Sequence, residues 1–173
     1  MQPISSGVWN WGIDFTELNN YQLGNSDVIT FHHYSNAIET NSTIQDLKMY
    51  NRPIINTEYM ARPLNSTFES HVPLFFQQNV PAINWGLVKG KTNTIYPWWS
   101  KKGDPEPAVW FHDVFQPNGT AFDSTETVLI RNQTMNYPQP VIPTDFEASA
   151  DHYLWNGREI QPMNTWTLQR WST

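Results

Sequence analysis

The chain of 173 residues contains no cysteine. Disulfides, zinc–thiolate centres and thiol nucleophiles are therefore excluded. Basic residues are scarce: ten Lys and Arg stand against sixteen Asp and Glu, for a formal net charge of −6. A nucleic-acid partner demands a basic footprint, and no run of Lys or Arg of the kind that grips phosphate or anionic lipid is present. Long hydrophobic runs are missing too, so no segment reads as a membrane span. The polar and proline residues after Met1 do not read as a signal peptide, and the expectation is a cytoplasmic chain or one whose export signal has been removed.

What is abundant is aromatic. Phe, Trp and Tyr make up 14% of the chain, with nine tryptophans. Core filling accounts for part of this, and the rest points to exposed ring faces of the kind on which sugars stack through their C–H edges. The hydrophobic content of 39% and charged content of 15% are those of a folded protein. The length suits one domain with a real core. The four Asn-x-Ser/Thr sequons, at Asn41, Asn65, Asn118 and Asn132, are expected by chance in an Asn- and Thr-rich chain.

Three apolar runs read as strands: "VITFHHY" (28–34), "PIINTEYM" (53–60) and "PAINWGL" (81–87), with a weaker fourth, "SGVWNWG" (6–12). Their cores are continuous rather than alternating, the pattern of strands covered on both faces in a parallel sheet. Helices are expected between them. One covers 15–23 and stops at Gly24 as a C′ residue; a second is opened by a capping box at Ser42 and Gln45. A third covers 70–79, with Pro73 in its first turn. The repeated strand–helix order is that of βαβ units. Residues 88–115 read as a long loop and 124–132 as a short helix. The remainder, 135–173, reads as a Pro-rich extension (Pro138, Pro140, Pro143) with a β-hairpin turning at Asn156-Gly157.

In parallel α/β architecture, chemistry gathers where strands end at their C-termini. There the runs place His32 and Tyr34, then Asn56 and Glu58 on one expected face, then Trp85. A carboxylate that attacks an anomeric carbon must be ionised and aimed. A tyrosine hydroxyl can hold one of its oxygens, an imidazole can orient the same network, and a tryptophan offers a floor for the sugar ring. Each residue alone has a plainer explanation: a structural histidine, a core tryptophan, a glutamate paired with Arg52 or Arg62. Together, in this order, they point to carbohydrate chemistry. His32 and His33 are adjacent on a strand and cannot chelate one ion together, and no metal or organic cofactor is expected.

The segments "SDVITFHHYSN", "RPIINTEYMARP", "STFESHVPLF", "AINWGLVKGKTNTIYPW" and "PAVWFHDVFQPNGTAFD" resemble the C-terminal half of bacterial cellulase- or xylanase-like glycoside hydrolases. These belong to the clan of (β/α)8 retaining enzymes that includes glycoside hydrolase family 5. The resemblance runs from about residue 3 to 131. It implies half of a (β/α)8 barrel, corresponding to strands five to eight, over residues 1–134. It further implies Glu58 as catalytic nucleophile or base, with Tyr34 and His32 beside it and Trp85 as the tryptophan of the eighth strand. Secretion or the periplasm is the implied compartment.

In the clan the acid is a glutamate in an Asn-Glu pair closing the fourth strand, and this chain has no Asn-Glu dipeptide. The resemblance thus implies a missing half, supplied by a homodimer or a second half-barrel chain. Within the chain, Asp104 and Glu106 are the candidates for a displaced acid, ahead of Asp14 and Glu17. Trp98, Trp99 and Tyr96 are the candidate sugar platforms, with Trp9 and Asn10 adding contacts. The expected function is hydrolysis of β-linked plant-type poly- or oligosaccharides. The alternatives are a sugar-binding module without catalysis and a structural half-barrel that assembles as a dimer.

Overall fold

A computed structural model describes residues 2–135 and the backbone of 153–155 and 158–160. Ile4–Tyr137 form one compact unit. Its centre is a parallel sheet of three strands in the order β1 (Ile29–His32), β2 (Ile54–Tyr59) and β3 (Ala82–Asn84). The fourth expected strand is reduced to a single parallel bridge, Val8 to Phe31, closed by Val8 N–H on the Thr30 carbonyl and His32 N–H on the Val8 carbonyl. Gly7 and Gly12 flank that segment, and glycine contributes no side chain to hold a strand in place. The other strands are shorter than their apolar runs at both ends.

Four helices, α1 (Thr16–Asn25), α2 (Ala37–Lys48), α3 (Phe68–Gln78) and α4 (Ser124–Met135), complete the unit. Helix α1 passes through Gly24 instead of stopping there, because Arg52 donates to the carbonyls of Leu23 and Ser26 and satisfies the helix end. Helix α2 starts well before the expected capping box. Asn36 caps it, its Oδ1 accepting from the N–H groups of Ile38 and Glu39. Thr40, Ile44 and Leu47 then form one buried stripe. Helix α3 is capped by Thr67, which moves its start upstream and places Pro73 beyond the first turn, not in it. Its buried stripe is Phe68, His71 and Phe75, and it ends at Asn79 in the left-handed conformation with φ 54°.

The core lies on one side of the sheet. Ile29, Phe31 and Ile54 pack there with Leu23, Ile44, Leu47, Phe68 and Phe75. Each such side chain contributes about 1.5–3 kcal/mol when fully buried. By strand alternation the other face carries Thr30, His32, Ile55 and Ile83; Ile83 is 58% exposed and the others are partly exposed.

The segment read as a long loop is largely irregular, yet it folds back on the sheet's C-terminal end. Trp110, Phe111, His112, Asp113 and Val114 form a buried run. The Arg62 side chain fastens it, donating to the carbonyls of Trp110 and Asp113 and to both carboxylate oxygens of Glu126 on α4. Gly86, at φ 82°, comes so close that an added Cβ would lie 2.6 Å from Asp113 Oδ1 and 2.8 Å from His112 Cβ.

A separate unit holds a two-stranded antiparallel hairpin, β4 (Tyr153–Trp155) and β5 (Arg158–Ile160), in which Trp155 is opposite Arg158. Pro138, Pro140, Pro143 and the turn residues Asn156 and Gly157 lie outside the described residues. Among the described residues no helix is long and apolar enough to cross a membrane.

Candidate active site

Glu58 is placed by an irregularity in β2. The register pairs Phe31 with Asn56 and then His32 with Glu58, so Thr57 is an extra residue with no partner of its own. The next rung on the other side, Asn56 with Ala82 and then Tyr59 with Asn84, has the same one-residue surplus in β2. This is a β-bulge, the device by which a strand re-aims a side chain. Thr57 steadies it by donating from Oγ1 to the Phe31 carbonyl at 3.3 Å.

The bulge corrects the expectation that Asn56 and Glu58 share a face. Asn56 is fully buried toward the helices, next to Phe31 in register. Glu58 stands beside His32 on the opposite, open face, and Tyr59 returns to the core against Phe68, His71 and Phe75.

The Glu58 side chain is 21% exposed and that of His32 25%. Tyr34 Oη donates to Glu58 Oε2 at 2.8 Å, and His32 Nδ1 lies 3.1 Å from the same oxygen. Both contacts fall on Oε2, and Oε1 has no hydrogen-bond partner among the described residues. Burial, then the hydrogen bond to Glu58 and its charge, push the Tyr34 hydroxyl far above its ordinary value. It therefore stays protonated and keeps donating. Trp11 Nε1 holds the His32 carbonyl at 3.0 Å, and Gly7 faces the far side of that ring, where an added Cβ would sit 3.7 Å from Nε2.

Of the expected platforms, Trp98 is the one brought to this cluster. Its ring meets Tyr34 edge-on at 5.0 Å while 60% of the residue stays exposed. Trp99 packs on Phe111 instead, and Trp9 on Phe15, each with much of its surface exposed. Trp85 follows β3, its N–H bound to the Tyr59 carbonyl and its side chain about half exposed. Tyr96 is half-buried in a turn closed on Asn93. Asn10 serves the backbone, its Oδ1 accepting from Gly12 N–H and its carbonyl from Asn19 Nδ2.

The loop carboxylates are occupied elsewhere. Glu106 binds Lys89 Nζ and Trp110 Nε1, and the Lys89 hydrogen bond holds its carboxyl below the usual range. A general acid needs the opposite shift. Asp104 accepts from the Lys101 N–H at 2.8 Å in an exposed turn. No second carboxylate joins the hydrogen bonds around Glu58 among the described residues.

Sequence reasoning passed over His112. It is 2% exposed, packs against the Tyr34 and Trp98 rings, and binds the Met60 carbonyl at 2.5 Å. Its signal in the sequence was the apolar density of "VWFHDVF", which marks buried chain rather than a solvated loop. His33, by contrast, turns to the helices and joins a buried chain through Thr40 Oγ1 to His71. Among the described residues no group of three or more His, Asp or Glu is arranged to hold a metal ion. No family model matches the chain, and no curated protein sequence matches it.

Proposed function

We propose that the chain is a carbohydrate-active domain of glycoside-hydrolase type, with Glu58 as the carboxylate that attacks a β-linked anomeric carbon or activates water beside it. One observation carries the reading: a partly exposed glutamate at a bulged strand end, held through Oε2 by Tyr34 and His32, with Oε1 unbonded among the described residues. Contacts on one oxygen hold the carboxylate in place and fix the direction of the other. The exposed Trp98 ring, edge-on to Tyr34, supplies an apolar floor for a sugar next to that oxygen.

Cleavage also needs a proton for the departing oxygen, and the loop acids are committed to other partners. The proposal therefore includes a second βα half that completes a barrel with residues 1–134 and supplies the acid. It comes from a second copy or from another chain. The exposed Ile83 and the partly exposed Ile55 on the open sheet face support it, since parallel sheets are ordinarily covered on both faces. Acid and Glu58 about 5–5.5 Å apart would give retention, and about 6.5–9.5 Å inversion.

The test is turnover of aryl β-glycosides and soluble β-glucans by the wild type and Glu58→Gln, with light scattering for assembly. Wild-type turnover that collapses in the variant supports the enzyme. Equal turnover in both refutes it. That no second carboxylate meets Glu58 among the described residues favours a second reading, a binding module, and it is the right one if neither protein turns over substrate while both bind glycans.

A further inference from the structure

The His112 ring touches the Tyr34 ring and the backbone that follows Glu58, and the geometry points to His112 as a positioning residue of this site. The inference rests on the reading of Glu58 as the reacting carboxylate. A carbonyl oxygen only accepts, so the 2.5 Å contact to the Met60 carbonyl requires the proton on Nδ1. Nε2 is then a bare lone pair, and it is buried with no partner among the described residues. Burial holds this imidazole below its ordinary pKa, in keeping with a neutral ring. A buried unpaired nitrogen is costly, and Phe or Leu would fill the space without one. The residue type makes sense only for what the Nδ1–H does.

What it holds is a strained backbone. Met60 is fully buried with φ 77°, a conformation that non-glycine residues seldom adopt, and it lies two residues after Glu58. The same ring packs 5.6 Å from the Tyr34 ring, the donor to Glu58 Oε2. His112 thus fixes the end of β2 from one side and the tyrosine from the other. Gly86 packs directly on its Cβ, where a larger residue would not fit.

The test is NMR on the whole chain and needs no turnover, so it can fail independently of the glycosidase reading. In the wild type the Tyr34 hydroxyl proton is expected as a slowly exchanging resonance. In His112→Asn the amide replaces Nδ1–H, and the exchange rate is expected to stay within about twofold. In His112→Gln the amide sits at the Nε2 position, and exchange is expected to quicken by about tenfold. Equal exchange in all three proteins overturns the proposal, as does equal acceleration in both variants, which marks a role in packing alone. Should His112→Gln not fold, the wild-type imidazole decides. Nitrogen-15 shifts that place the proton on Nδ1 support the assignment, and a proton on Nε2 overturns it.

Discussion

His32 stands opposite Glu58 across β1 and β2, and the rung exists because β2 carries Thr57 as an extra residue. In an unbroken register His32 would meet Thr57, and Glu58 would point with Asn56 into the helix-side core. A one-residue slip turns a strand's side chains to the other face. The acid that frames the site is therefore delivered by a defect in strand pairing.

Deleting Thr57 is expected to make the pairing regular while leaving Glu58 opposite His32, because Glu58 then follows Asn56 directly and alternates to the open face. Activity on aryl β-glycosides should therefore stay within about tenfold of the wild type, since a loss of about 100-fold or more is the scale for a misplaced reacting group. Comparing turnover and far-UV circular dichroism of the deletion with the wild type checks this; a folded deletion that loses about 100-fold or more would contradict the register argument.

Tyr34→Phe removes the only hydroxyl on Glu58 Oε2 among the described residues while keeping the ring against Trp98 and His112. A hydrogen bond to a charged group is worth about 1.5–3 kcal/mol, so kcat/KM should drop by about 10- to 100-fold. Melting temperature should move little, which separates a functional contact from a structural one. A variant as active as the wild type would remove Tyr34 from the site.

Much of this was legible beforehand. The continuous apolar cores of "VITF" and "IINT" announce a parallel sheet, and a lone acid after such a run marks the strand end. The bulge gave no local sign, because Thr57 is β-branched and fits a regular strand as well as an irregular one. The α2 start was hidden by competition: Asn36 with Glu39 three residues on has the form of a cap, yet Ser42 with Gln45 has it too. Context decided, because only the earlier start buries Thr40 along with Ile44 and Leu47. His112 escaped because its partners, Met60 and Tyr34, are remote in sequence.

Stability should fall on mild acidification. Burial lowers His71 from 6.5 to about 4, and His33 is lowered in the same direction by burial. In the unfolded chain both rings take up protons near 6.5, so between there and 4 the unfolded state binds more protons than the folded one. The stabilisation is complete above 6.5 and lost as pH falls toward 4, by up to about 3 kcal/mol for His71. Urea melts at pH 7.5 and pH 4.5 measure it. His71→Gln should flatten the dependence; an unchanged slope would contradict the assignment.

The Arg62–Glu126 pair, at 2.6 Å and largely shielded from water, ties α4 to the end of β2. Glu126→Ala leaves the guanidinium without its counter-charge and should cost about 3–5 kcal/mol in denaturant unfolding. Glu106→Ala, which breaks an exposed pair with Lys89, should cost about 1 kcal/mol or less. Similar losses in both would show that burial of the Arg62 pair is unimportant.

The central claim is that Glu58 offers a free carboxylate oxygen to a sugar. It is tested most directly by treating the protein with a cyclitol epoxide shaped like a β-glycoside and locating the adduct by peptide mass spectrometry. The expected result is one added label on the peptide spanning residues 53–62, on Glu58, blocked by prior glycan binding. A label on another carboxylate, or no label at all, would contradict the account.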